Sequence, residues 1–528
     1  MKRINHQRII FSLFALLTIC LEIAAAPGFI NPQAGGWSTP ASISAPQVTS
    51  WFPDIVSDSL NHVHVAWAAG TSGFDTVLYT SSADGVNWSK INDIAAVPQN
   101  GTDSAATRPA LWVDANGYLN LSYVSSTLYF TRAPVATAGS AAAWVQPEKL
   151  NGNQIAYFSR IIQDPHNQLH LFYTENVVSN NCTQCYHLFH RVSTDNAVTW
   201  SDPQDISADG TGAAKPQIVA NDKGGIFAVW ESGIGGGLGQ LSSTSVVKFA
   251  ASTDFGKTWT QSTTLSPASI DEAKDITIGL DGKGNLVTAW LALPDNTVDF
   301  QKSSDDGKTW SKPTPINGIT GSWDTYPSKL DDYSMVTDSS GAIHLVLIGQ
   351  LQGSETPTPA PKDPSLTPTP GNLDVLHLTW QNNSWSDPDI VTKFNGDVPE
   401  WPRAAISGGN VLNLVWFVRD QANIWNSDNA HYRIWYTRKQ LNAPALPTVM
   451  PTFSTTPTAM DNISLTPAIT QVVSAIDPLP TLAPAEKIQT QTTYSESDYV
   501  TIFAKSIAPT AVVIFVIGLI VFAFKRYR

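Results

Sequence analysis

The sequence predicts an all-β chain folded as a seven-bladed β-propeller, followed by an unfolded stalk and an apolar C-terminal helix. Three observations lead there. A unit of short apolar strand, turn and alternating strand recurs seven times between about Trp37 and Lys439. A third strand follows every copy, and a tryptophan-led fourth strand follows the first six. The fourth strand missing at the end stands unclaimed at the start, as WSTPASI from Trp37. Such self-similarity marks a repeat architecture. Closing the repeats into a ring, with the amino end completing the last sheet, removes exposed sheet edges. A six-bladed ring is the alternative.

The copies begin at Pro53 (PDIVSDSLNHVHVAW), Pro109 (PALWVDANGYLNLSY), Ser159 (SRIIQDPHNQLHLFY) and Pro216 (PQIVANDKGGIFAVW). Ile276 (ITIGLDGKGNLVTAW), Tyr333 (YSMVTDSSGAIHLVL) and Pro402 (PRAAISGGNVLNLVW) begin the rest. Alternation over the second half of each unit is the signature of a strand with one buried face. The third strands are VLYTSS, TLYFTR, LFHRVS, VKFAAS, VDFQKS, VLHLTW and RIWYTR. Trp88, Trp144, Trp200, Trp259, Trp310 and Trp385 lead the fourth.

The turn between third and fourth strands is itself a motif. It reads STDFGKTW at Ser252–Trp259 and SSDDGKTW at Ser303–Trp310. Partial copies lie at Ser193–Trp200, with Ala197 for glycine, and at Ser81–Trp88, with Ala83 for aspartate. Asp195, Asp254 and Asp305 are placed to accept turn N–H groups. Gly256 and Gly307 allow positive φ, and Trp259 and Trp310 are large packing wedges. This motif resembles the Asp box, or bacterial neuraminidase repeat, and the chain resembles the sialidase-like propeller superfamily over about 400 residues. The resemblance implies that the boxes are scaffold, on the rim away from any active site. Sialidases hold a substrate carboxylate with three arginines and use a Tyr nucleophile with a Glu partner and an Asp acid/base. They have six blades and an F-R-I-P type motif; the first inner strand here begins Trp51-Phe52-Pro53 without arginine, and FSRI occurs only at Phe158–Ile161.

Function is therefore expected on the opposite face, where the innermost strands start. One position before each copy stand Phe52, Arg108, Phe158, Lys215, Asp275, Asp332 and Trp401. Three of the eight arginines between residues 27 and 439, namely Arg108, Arg160 and Arg403, fall at these starts. Their forked guanidinium groups suit a carboxylate or sulfate, and Trp51, Tyr157, Trp323 and Trp401 suit stacking on a sugar. Asp54, Asp275, Asp332, Glu272, Asp324 and Glu400 are acid, base or hydroxyl-binding candidates. Tyr326 with Glu272 or Glu400 is the first guess for a nucleophile pair. Against this stands the reading in which arginines pair with aspartates to plug the channel and aromatics cap the blades. Three functions follow: a glycan-binding propeller, an exo-glycosidase of sialidase type acting on terminal acidic sugars, or a protein-interaction scaffold.

The ends predict export and anchoring. Lys2, Arg3 and Arg8 precede an apolar run to about Ile23, giving a signal peptide over 1–26. The propeller then spans 27–440, and a Pro/Thr-rich stalk spans 441–505. An apolar helix over 506–524, ending before Lys525, Arg526 and Arg528, is long enough to cross a hydrocarbon core about 30 Å thick. Its basic flank (525–528) favours the cytoplasmic side, leaving the propeller outside the cell membrane. The formal net charge of −13, with six of the 31 basic residues in the two ends, excludes nucleic acid as a partner. The expected partners are a glycan and, through the helix, the membrane. Cys182 and Cys185 are expected to form a small loop-stapling disulfide. The Gly-rich SGIGGGLGQ at Ser232–Gln240 leads into no helix, so it reads as a loop and not a phosphate cradle. No metal motif or cofactor fingerprint is present.

Overall fold

The computed structural model describes residues 36–450 apart from 72–73, 99–107, 153, 180–181, 208–211, 234–244, 271, 322–330, 354–372, 395–396 and 420–431. Seven antiparallel sheets follow one another along the chain, so the six-bladed alternative falls away. Blade 1 is Thr49–Ser57, Val63–Thr71, Phe74–Ser82 and Asn92–Pro98, in that spatial order. Blades 2 to 5 repeat the meander from Ala110, Ala156, Gly212 and Glu272. Blade 6 differs. Its inner strand comes in two pieces, Ile319–Gly321 and Ser334–Thr337, both paired with Ile343–Leu351. Blade 7 runs Val398–Ser407, Val411–Arg419 and Arg433–Gln440, and Ala41–Ser42 supplies its outer strand. The amino end closes the ring as its sequence position suggested.

Local chemistry explains the repetition. Each turn between first and second strands in blades 1 to 6 opens with Asp or Asn, whose Oδ1 accepts N–H groups two and four residues on. Asp58 takes Leu60 and His62 at 2.9 and 2.8 Å, and Asp281 takes Lys283 and Asn285 at 2.9 and 2.8 Å. These are Asx turns, which reverse the chain without water. The second strands bury both faces; Trp67, Trp230, Trp290 and Trp416 are fully enclosed.

The boxes have the geometry expected of them. Asp305 accepts Ser303 Oγ at 2.8 Å, Thr309 N at 2.9 Å and Thr309 Oγ1 at 2.6 Å. Those bonds push its carboxyl down to about 2. Asp254 makes the same set with Ser252 and Thr258. In blade 1 the carboxylate comes from Asp84, whose Oδ1 accepts Val86 N and Asn87 N at 2.8 and 2.7 Å. This copy therefore starts at Ser82 and is one residue shorter before Trp88, which corrects the alignment that set Ala83 in the aspartate position.

Each leading tryptophan then stands edge-on to an aromatic ring in the third strand of the preceding blade. Trp144 meets Tyr79, Trp200 meets Phe130, Trp310 meets Phe249 and Trp385 meets Phe300, with centroids 5.2 to 5.9 Å apart. Trp259 meets His190 at 5.5 Å, and Trp88 meets Tyr436 of blade 7 at 4.8 Å. Trp37 completes the series on His377 at 5.4 Å and 82°. Edge-to-face pairs add about 0.5–1.5 kcal/mol each beyond area burial.

Among the described residues no helix is long and apolar enough to cross a membrane. The apolar ends, the stalk beyond 450, Trp323, Asp324, Tyr326 and most of the Gly-rich loop lie outside the described residues. Residues 441–450 are tied down: Leu441 N donates to Asn410 O, Leu446 N to Gly408 O and Val449 N to Ser59 O, at 2.8 to 2.9 Å. Cys185 is disulfide-bonded, and the Cys182 side chain lies outside those described.

Gly307 has φ +81°, and a Cβ there would lie 2.2 Å from the Phe249 ring. Gly307→Ala combines a left-handed penalty with overpacking and is expected to cost roughly 2–5 kcal/mol in urea unfolding. A second expectation concerns acid. Burial pushes buried His377 down to about 4 from the usual 6.5. The unfolded chain takes up that proton below about pH 6.5 and the folded chain only near 4, so this stability is full above 6.5 and drains away between the two values. His377→Phe, which copies blades 2, 4 and 5, should lose less stability than the native protein on acidification from pH 7 to 4.5. Parallel loss in both would rule the assignment out.

Candidate functional site

The innermost strands start earlier than the repeats suggested and pass through a bulge near the axis. Phe52, Lys215, Asp275 and Trp401 have φ of +50°, +48°, +53° and +58°. The ladder slips one residue at each, between Trp51 and Asp54, Ala214 and Gln217, Lys274 and Thr277, and Glu400 and Arg403. Pro53, Pro216 and Pro402 follow three of them, where a missing N–H costs no ladder bond. Bulges re-aim side chains and bend the strand.

The seven residues picked out one position before each copy all meet on the axis, and all are at most 8% exposed. They form a plug with two halves. Blades 7, 1, 2 and 3 give the aromatic half: Trp401 is edge-on to Phe52 at 5.1 Å and stacked near Phe158 at 6.3 Å. Arg108 inserts its guanidinium over Phe52 at 4.3 Å and Phe158 at 5.1 Å. Burial pushes it down to about 10. Blades 4, 5 and 6 give the charged half. Lys215 Nζ donates to Asp275 Oδ1 at 2.7 Å and lies 3.4 Å from Glu231 Oε1. Burial opposes its charge, but Asp275, Glu231 and Asp332 outweigh it and raise the lysine above its ordinary value.

Asp332 joins the halves. It is fully buried, and its Oδ2 accepts Arg403 at 2.7 Å and Gln217 at 2.6 Å, with Arg160 3.5 Å away. Asp332 Oδ1 has no partner among the described residues. Asp54 accepts Leu111 N at 2.7 Å; burial raises its carboxyl despite the nearby charges of Arg160 and Arg403. Asp331 takes Asp332 N and Trp401 N at 2.9 and 3.0 Å. Burial, then repulsion from Asp275 and Glu400, holds it well above the carboxylate range.

Of the sequence candidates, then, Arg160, Arg403, Asp54 and Asp332 come together. Arg108 and Trp401 lie below them as packing residues of the plug. Glu400 is buried and bonded to Arg419 at 2.6 Å, and Glu272 sits 3.3 Å from Lys274. Trp51 and Tyr157 are half-buried and pack on one shared apolar cluster under the mouth. Their neighbours Tyr432 (5.8 Å) and Tyr186 (4.7 Å) were not picked out from sequence, nor were Glu231 and Arg419. Glu231 and Arg419 each follow an apolar run in a second strand (IFAVWE, LVWFVR), a signal that was available.

With seven sheets, box geometry and a plugged axis established, known proteins place the chain. Residues 140–319, about a third of it, match the family described as BNR repeat-like domain. Over those residues the chain is similar to BNR repeats, and the fold they belong to here is a seven-bladed β-propeller. No curated protein matches it. It is similar to an intramolecular trans-sialidase from Ruminococcus gnavus at 15% identity and TM-score 0.40, over 76% of this chain and 96% of that one. It is similar to the NanB sialidase from Streptococcus pneumoniae at 12% and 0.42 (79% and 72% covered). An ulvan lyase is similar at 9% and 0.47 (76% and 93% covered). At such identities no chemistry is transferred from them.

A propeller with a buried charge network is sensitive to loss of one partner. Asp332→Ala strands Arg403 and Arg160 and should cost roughly 3–5 kcal/mol. The exposed Asp202→Ala should stay within about 0.5 kcal/mol. Urea unfolding of both variants checks this, and equal losses would show the network to be unimportant.

Proposed function

We propose that this BNR propeller is a cell-surface glycan-binding protein that takes its ligand on the face opposite the boxes, above the plug. One observation carries the reading: the half-buried Trp51 and Tyr157, from blades 1 and 3, share one apolar cluster, and blade 3 also supplies Arg160. Arg160's side chain is 18% exposed against 6% for Arg403. Two aromatic rims and one reachable guanidinium suit a sugar ring with its hydroxyls or a single acidic group.

Binding is favoured over hydrolysis because the mouth's carboxylates are occupied. Asp54 holds a backbone N–H, Asp275 a lysine, Asp332 two arginines and a glutamine, and Glu400 an arginine. Acid/base catalysis of hydrolysis needs a carboxyl group free to exchange its proton with substrate. The second reading, an exo-glycosidase of sialidase type, draws on Asp331, whose carboxyl is raised well above the ordinary carboxylate range, the direction a general acid needs.

Residues 441–450 cross the box face by way of Asn410, Gly408 and Ser59, so the chain leaves the propeller on the face opposite the mouth. The full-length chain in nanodiscs, applied to a glycan array and to a fluorogenic sialoside, separates the readings. Glycan capture without turnover, weakened at least about tenfold by Trp51→Ala or Arg160→Ala, is expected. Turnover lost in Asp331→Asn would replace binding with catalysis, and no capture at all would leave the scaffold reading.

A further inference from the structure

The box face is not uniform, and the exception leaves a cavity. In blades 1, 4 and 5 the box glycine lies directly on the third strand of the preceding blade: Gly85 over Tyr436, Gly256 over His190 and Gly307 over Phe249. Blade 6 has no box. Its third and fourth strands are joined by a tight hairpin at Gln381–Ser384, with Asn382 and Asn383 at φ +52° and +68°. Two consecutive positive-φ residues make the short turn that right-twisted strands favour. No box loop reaches back over blade 5, and a groove of about 350 Å³ remains between blades 5 and 6. It continues into a second hollow of about 210 Å³, and Asp281, Asn285, Trp380 and Asn383 line both. The larger hollow falls in the range of small-ligand pockets, roughly 300–1,000 Å³.

The lining is chemically specific. Trp310 and Trp380 supply indole surface, and Asn285, Lys302, Ser304 and Asn383 supply donors and acceptors. The larger hollow carries one carboxylate and one ammonium, so its formal charge is zero, and both are engaged: Asp281 takes Lys283 N, Asn285 N and Asn285 Nδ2, and Lys302 donates to Asn383 Oδ1. That leaves the Asn383 amide N–H groups without a protein acceptor among the described residues. Indole faces with fixed amides and hydroxyls, and no net charge, suit a ligand that is polar, uncharged and has apolar ring faces.

We propose that this groove is a second binding site, taking one or two units of a neutral saccharide. It shares no residue with the mouth and lies on the other face of the ring, so it stands or falls separately from the function proposed above.

The full-length protein in detergent micelles is titrated with chitotetraose, cellotetraose, mannotetraose and galactotetraose. Saturation-transfer NMR detects contact and calorimetry gives affinity. At least one saccharide should bind in the millimolar range. Asn383→Gly, which keeps the positive-φ turn, and Lys302→Met, which keeps the apolar stem, should each weaken it about tenfold. Arg160→Ala should leave it unchanged. Absence of saturation transfer from all four sugars overturns the proposal, as does binding that both groove variants leave intact. Loss in Arg160→Ala alone places the sugar at the mouth, which removes the groove site and keeps the first reading.

Discussion

A tryptophan edge pressed on the ring of the preceding blade is the contact on which this molecule depends. It recurs at every blade junction, and its two members come from different blades, so no sheet can be completed alone. The junction of blades 6 and 7 joins Trp37, from the amino end, to His377. The ends themselves are joined by the backbone pairings of Ala41 and Ser42 with Tyr436 and Trp435, the bridge of Trp37 with Lys439, and the bonds of Ser38 with Thr437 and Arg438. His377 also bonds His344, which bonds Asp338; behind the Trp259 junction His190 bonds His170, which faces Asp164, so two junctions have a titratable chain behind them.

Rigid closure lets the axis carry charge. Buried carboxyl groups (Asp54, Glu231, Asp275, Asp331, Asp332, Glu400) face buried cations (Arg108, Arg160, Lys215, Lys274, Arg403, Arg419). Such a set survives burial only when nearly every group has a fixed partner. The bulges of blades 1, 4, 5 and 7 help by re-aiming one side chain each. Burial and the neighbouring carboxyls of Asp275 and Glu400 raise Asp331 well above the carboxylate range. The aromatic half of the plug needs no such balance, because Arg108 is held over ring faces.

The two faces follow different rules. On the box face, turns satisfy themselves within a few residues, so their chemistry is local and scaffold-like. On the mouth face, partners come from different blades: Asp332 from blade 6 gathers Arg160 from blade 3, Gln217 from blade 4 and Arg403 from blade 7. Where the local rule lapses, at the boxless hairpin of blade 6, the box face opens into a groove.

The sequence by itself determined the blade count, the closing strand, the boxes at Asp195, Asp254 and Asp305, and the seven axial positions. Each of these is written in short-range periodicity and turn chemistry, which neighbouring residues decide. Even the tryptophan partners were legible, since Tyr79, Phe130, His190, Phe249, Phe300, His377 and Tyr436 hold one place in the third-strand pattern. Only the tertiary structure decided that Arg108 packs in the plug while Arg160 reaches the mouth, that Glu400 belongs to Arg419, and that a groove opens beside Trp380. Those outcomes depend on which side chains from distant blades arrive together when the ring closes, and no spacing along the chain encodes that meeting.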